Sequence, residues 1–250
     1  MTSSKNNLDK IAVEYHGKDK LQDKHIEDAA QLHTFNWVFD QLKGSKRVLE
    51  MGYGEGHFTL ELVKKGFDTT LLEGSRVLID KVREKYGNAV KCEHSLFEEY
   101  HAGQPYDAVI ATHVLEHVDD PVSLLKNMRN WVRPEGKIIC IVPNAESIHR
   151  RLAVIMGLQP KLDTLSKRDE LVGHQRVYSL SELKRDIETA GLETTGATGF
   201  QLKVLPNSMM LNYSAELINA FNVISAQLPP EILANIAVTA VRKKHDEESS

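Results

Sequence analysis

Hydrophobic and polar positions along the chain alternate between two periods. Short apolar runs occur at Arg47–Met51, Thr69–Glu73, Ala89–Glu93, Tyr106–Thr112 and Gly136–Pro143. Runs of this length, bounded by glycine, proline or charge, read as buried strands. Between them His57–Lys65, Ser75–Tyr86 and Val122–Val132 carry apolar residues at helical spacing. A further helix is predicted ahead of the first strand, over Asp28–Leu42, where Ala29, Leu32, Phe35, Val38, Phe39 and Leu42 share a face. Gly66, Gly87 and Gly136 punctuate the joints. Strand–helix alternation of this kind predicts a parallel sheet covered by helices on both faces.

After Pro143 the alternation breaks. Ile148–Met156 reads as a helix, followed by a polar stretch through His174. Ser179–Ala190 is a second helix, capped by Ser179 or Ser181 and terminated by Gly191. Thr194–Leu205 reads as a strand, Tyr213–Leu228 as a helix broken by Pro229-Pro230, and Ile236–Arg242 as a last strand. One domain over residues 1–250 is expected, with a core at about 28–143 and helical insertions at about 144–178 and 206–235. Met1–Asn7 and His245–Ser250 are polar and expected to fray.

Composition narrows the classes. Hydrophobic residues make up 41% of the 250, enough for a buried core. No apolar run reaches the roughly 18–20 residues of a membrane span, and the polar N-terminus lacks the apolar stretch of a signal peptide. Cys92 and Cys140 both lie in strand-like runs. They read as buried thiols in a reducing cytosol rather than a disulfide. The net charge is −4 with no basic stripe, which argues against nucleic-acid or membrane partners.

The most informative stretch is Val48-Leu49-Glu50-Met51-Gly52-Tyr53-Gly54-Glu55-Gly56. An apolar run ends in an acid and then three glycines at alternate positions. Glycine permits a sharp turn and lets a ligand touch the main chain. A dinucleotide fingerprint would need its third glycine at 57, where His57 stands. A pyrophosphate would also be repelled by Glu50. The acid suits a cationic ligand instead. Glu50, Gly52, Gly54 and Gly56 match position by position the first motif of the class I S-adenosylmethionine (SAM)-dependent methyltransferases, which the sequence resembles.

That resemblance implies an α/β, Rossmann-like, seven-stranded, mostly parallel sheet with helices on both faces, an antiparallel last strand and helical lid insertions. It implies SAM as cofactor and S-adenosylhomocysteine as product. Glu73, ending the second strand, would accept hydrogen bonds from the ribose diol, with Gly74 and Ser75 bringing the next helix close. Ser95 stands where the family often has an acid near the adenine, a departure from the pattern; Leu96 and Phe97 would flank the ring. Tyr106–His113 resembles the fourth motif and would bring Thr112 and His113 to the methionine half. The segment His113-Val114-Leu115-Glu116-His117 resembles one found in small-molecule and ubiquinone-biosynthesis O-methyltransferases. Trp131–Gly136 resembles the turn that precedes the fifth strand. His149, His174, Arg176 and Tyr178 match segments that flank the acceptor pocket. Tyr15, His16, His25 and His33 are candidates to meet the cofactor carboxylate.

His-x-x-Glu-His is also an inverted zinc-peptidase pattern. Here Asp119, Asp120 and Pro121 cut short the helix such a site needs, so no metal is expected. The reading is transfer of a methyl group to a small-molecule acceptor, at oxygen, with His113 or His117 as base. N- or C-methylation and a non-catalytic SAM-binding protein are the alternatives. A homodimer is compatible with the reading.

Overall fold

The computed structural model describes residues 8–10, 12–13 and 24–243. Helix α1 (Lys24–Gln41) leads into β1 (Arg47–Met51), α2 (His57–Lys64), β2 (Asp68–Glu73), α3 (Arg76–Tyr86), β3 (Val90–His94) and β4 (Tyr106–Thr112). Then come α4 (Pro121–Trp131), β5 (Val132–Pro143), α5 (Ile148–Ile155), α6 (Lys167–Leu171) and α7 (Leu180–Thr189). The chain ends with β6 (Leu192–Phe200), α8 (Asn207–Met210), α9 (Ala215–Ser225) and β7 (Asn235–Arg242). Strand order is β3-β2-β1-β4-β5-β7-β6. Strands β1 to β5 pair in parallel, and β7 is antiparallel to both its neighbours.

Both faces of the sheet are apolar. On one, Val48, Ala108, Ile110, Ile139 and Ile141 pack against Val38 of α1, Leu42 just past its end and Leu62 of α2. On the other, Leu49, Val109, Ile138 and Cys140 meet Leu124, Leu125 and Met128 of α4 and Leu183 and Ile187 of α7. The alternation of side-chain direction along each strand is what feeds both layers. Cys92 and Cys140 are free thiols, and burial pushes Cys140 up to about 12. Among the described residues no helix is long and apolar enough to cross a membrane.

The helix expected over Tyr213–Leu228 spans only Ala215–Ser225, with a short helix at Asn207–Met210 ahead of it, and three further elements differ from their sequence reading. β6 ends at Phe200 rather than Leu205, because Gln201 turns to φ 64° and gives its carbonyl to the Ala234 amide. β5 begins at Val132, so the turn expected over Trp131–Gly136 is instead the end of α4 and a bulge where the register with β4 jumps from Tyr106↔Val132 to Ala108↔Lys137. The polar stretch before His174 holds α6, started by Ser166 and Asp169, which exchange hydrogen bonds through their side chains and amides. Periodicity could not show so short a helix; a local cap makes it.

Segment 144–178 leaves the carboxyl end of β5 and returns to it, where the Tyr178 amide donates to the Pro143 carbonyl at 3.2 Å. Asn144 is fully buried and donates its amide to the Glu231 and Leu233 carbonyls, at 2.9 and 2.7 Å. It therefore fastens the segment ahead of β7 to the same end of the sheet.

Candidate functional site

The site begins with backbone geometry at the end of β1. Gly52, Gly54 and Gly56 have φ of 78°, 51° and 75°, in the left-handed region that a Cβ disfavours. A methyl group at Gly56 would also collide with the Tyr53 ring. The glycines are thus required by the turn itself, and the turn leaves main chain exposed beside the strand end.

Glu73 ends β2 next to this loop and is buried. Its carboxylate accepts from the amides of Tyr53 and Ser75, at 2.9 and 2.7 Å. The acid is thereby fixed between the glycine loop and the start of α3. Ser75 caps α3 by accepting from the Leu78 amide. Leu96 lies against Gly74, and the Phe97 ring edge is 3.9 Å from where a Gly52 Cβ would stand. Ser95 donates its hydroxyl to the Leu96 carbonyl, and its amide donates to the carbonyl of Glu73. Glu50, Gly52, Gly54, Gly56, Glu73, Gly74, Ser75, Ser95, Leu96 and Phe97 therefore meet at the carboxyl ends of β1, β2 and β3.

Sequence reasoning missed one contributor to this rim. The Asp9 carboxylate accepts from the Ser75 hydroxyl at 2.7 Å and the Val77 amide at 3.2 Å. These bonds hold it below the ordinary aspartate range. Leu8 packs on Gly74. Nothing local marks these residues; only the tertiary fold brings them there. Tyr15 and His16 lie outside the described residues, His25 is exposed, and His33 is 3.3 Å from the Asn219 amide oxygen, on α9.

Glu50 is 4% exposed and accepts from the Thr59 hydroxyl at 2.8 Å. Burial pushes its carboxyl up to about 8, the Thr59 bond opposing and the Glu73 charge adding. A buried acid held this high favours a cationic neighbour.

At the end of β4 the chain turns sharply. His113 sits at φ 55°, a strained value for a residue with a Cβ. Its amide donates to the Ile141 carbonyl, and its Nδ1 is 3.1 Å from Glu116 Oε1. Residues 113–118 form turns rather than a helix, so His113 and His117 do not share a helix face. Glu116 is fully buried. Burial alone would raise its carboxyl, but the bond with His113 and the nearby His113, His117 and His174 rings hold it below the ordinary range. Burial lowers His117, with Glu116 opposing.

The segment around His174 clamps this turn. Arg176 donates to the carbonyls of Leu115, Val118 and Asp119. The Gln175 amide donates to the Glu116 carbonyl, and its side chain donates to the His117 carbonyl. His174 Nδ1 is 3.1 Å from Asp169, which also pairs with Arg150 at 2.9 Å. The His117 and His174 rings meet edge to face at 4.7 Å. Glu116, His117 and His174 each bring a ligand atom within 4.8 Å of the others, which is close enough to share one divalent ion. Tyr178 packs into the main core. His149 lies on α5, where burial pushes it down to about 3, with Lys203 and Arg150 adding. Its Nδ1 has no partner among the described residues.

Main chain of the glycine loop, the Glu73 carboxylate and the buried Glu50 thus stand together at the strand ends, a set of acceptors chemically suited to a polar ligand carrying positive charge. Comparison with known proteins agrees. Residues 22–196 match the family described as "Methyltransferase domain". A ubiquinone biosynthesis O-methyltransferase of Aeromonas salmonicida (strain A449) is 27% identical over 205 residues, covering 75% of this chain and 85% of that one. The magnesium protoporphyrin IX methyltransferase of Synechocystis PCC 6803, solved with S-adenosylhomocysteine bound, superimposes with TM-score 0.60 at 16% identity, over 90% of this chain and 89% of that one. The 1,6-didemethyltoxoflavin-N1-methyltransferase of Burkholderia thailandensis, with its substrate and S-adenosylhomocysteine, gives TM-score 0.59 at 13% identity, over 97% of this chain and 89% of that one.

Proposed function

The chain belongs to the methyltransferase-domain family and is an enzyme that uses SAM, and from that premise we propose that it methylates an oxygen of a small-molecule acceptor. Glu73 would hold the ribose, Leu96 and Phe97 the adenine, the loop at Gly52–Gly56 the backbone-facing side, and Glu50 the positive charge. SAM, when bound, supplies a methyl group made reactive by its sulfonium. The residues must then align the acceptor, exclude water and take a proton.

The observation that carries the oxygen reading is the His113–Glu116 pair at the end of β4. A buried carboxylate that accepts from Nδ1–H fixes the tautomer, leaving the Nε2 lone pair to act as base. The acceptor hydroxyl would give its proton to Nε2 as the new C–O bond forms, and the charge of Glu116 would stabilise the resulting imidazolium. The clamp from Arg176 and Gln175 holds this turn in place, so those residues act on orientation. The relatives named as O-methyltransferases support the same reading.

The test has two parts. Calorimetric titration with SAM should give binding that Glu73→Ala weakens at least tenfold, a loss of about 1.4 kcal/mol. An acceptor screen by mass shift should then give a product methylated at oxygen. On that acceptor His113→Ala should lower kcat by about 10²-fold or more while SAM binding stays measurable by calorimetry. A product methylated at nitrogen or carbon, or a kcat indifferent to His113, would overturn the oxygen reading while leaving the cofactor site intact.

A second reading rests on the closeness of Glu116, His117 and His174. A divalent ion held there would polarise the acceptor oxygen as a Lewis acid. Loss of activity in EDTA, restored by magnesium or zinc, would favour it over the imidazole base.

A further inference from the structure

Helix α9 buries an amide side chain that finds no partner. Asn222 is 3% exposed, and both its Nδ2 and Oδ1 lack any hydrogen bond among the described residues. Its neighbours on the buried face of α9 are Ile218 and Ser225. One turn along, the Ser225 hydroxyl accepts from the Leu202 amide at 2.8 Å, just past the end of β6. An enclosed amide with neither donor nor acceptor satisfied costs about 1–3 kcal/mol. Buried polar groups in native proteins are rarely left unpaired, and each exception calls for a partner or a role.

The backbone beside it is strained as well. Gln201 follows β6 at φ 64° and is 7% exposed. Strain of this kind in a non-glycine residue gathers at ligand sites. On α5, His149 holds a second enclosed nitrogen, Nδ1, without a partner among the described residues. The two sides are joined through the segment ahead of β7, where the Ala234 amide donates to the Gln201 carbonyl and Asn144, just before α5, donates to the Leu233 carbonyl.

We propose that Asn222 is a specificity-determining residue of the acceptor site, pairing with an uncharged group that offers both a donor and an acceptor, such as a carboxamide or lactam. The proposal rests on the small-molecule reading above and extends it. From β4, where His113 stands, the sheet runs through β5 and β7 to β6. Three strand spacings place the ends of β4 and β6 about 14 Å apart. The acceptor is therefore an elongated molecule, methylated at one end and recognised through a neutral polar group near the other. An acceptor without that group leaves the amide unpaired, which is how a buried polar site rejects an analogue.

The test uses the full chain saturated with S-adenosylhomocysteine, and benzamide, toluene and benzoate as fragment probes, followed by ligand-observed NMR. Wild type should bind benzamide at least tenfold more tightly than toluene or benzoate. Asn222→Leu should erase the preference while keeping the S-adenosylhomocysteine affinity and an equal or higher Tm. Equal binding of the three probes by wild type would overturn the proposal, as would a benzamide preference that survives Asn222→Leu. Should the leucine variant not fold, Asn222→Ser serves, and the wild-type ratio decides in any case. If S-adenosylhomocysteine does not bind folded wild type, the cofactor reading falls together with this one.

Discussion

Glu50 shows how a single residue links site and stability. Its carboxyl is pushed up from 4.5 to about 8 in the folded chain. Between those values the folded state binds the proton that the unfolded state has lost. Stability therefore falls as pH rises through that window. Chemical unfolding from pH 5 to pH 8 should show wild type losing stability, while Glu50→Gln keeps a flatter profile. A wild-type profile as flat as that of the variant would remove the argument that the acid is held high. Bound SAM brings positive charge and favours the ionised form, so its addition should offset part of the loss. The same residue was legible in the sequence as an acid before a glycine turn. Its burial and its bond to Thr59 were not, because Thr59 lies on the next helix.

At the scale of elements the glycine loop is the sensitive joint. Gly56 begins α2 in a left-handed conformation, with the Tyr53 ring against it. Gly56→Ala should cost about 1–2 kcal/mol in backbone strain, with a further cost for displacing Tyr53. The expected result is a lower Tm and weaker SAM binding, measured by thermal unfolding and calorimetry. By contrast, the start of α7 is set by local sequence. Ser179 and Glu182 form a reciprocal capping box, as the serine before an apolar run foretold. The same logic explains what periodicity could not foresee. α6 spans five residues and owes its start to Ser166 and Asp169, while β6 stops early because Gln201 turns away.

Across the whole molecule, distant segments converge on the end of β4. Arg176, far along the chain, holds the carbonyls of Leu115, Val118 and Asp119. Charge-assisted bonds of this kind contribute about 1.5–3 kcal/mol each. Arg176→Ala should therefore loosen residues 115–119, seen as faster hydrogen exchange there. It should also lower kcat through misplacement of His113, with SAM affinity little changed. Arg176→Lys should recover only part, since an ammonium cannot span the same carbonyls. Unchanged exchange in Arg176→Ala would mean that the turn holds itself.

The sequence by itself determined the order of strands and helices over residues 47–143 and the position of the glycine loop. Both are written locally: apolar runs of strand length, helical periodicity, and glycines at alternate positions where the turn takes positive φ. Only the tertiary structure decided which groups meet. Asp9 beside Ser75, Glu116 between three histidines, Arg176 on the turn it clamps, and the unpaired amide of Asn222 all depend on contacts between residues far apart in the chain. Pairing of that kind leaves no periodic trace, because it is selected by packing and hydrogen-bond geometry across elements rather than by the conformational preference of any one segment.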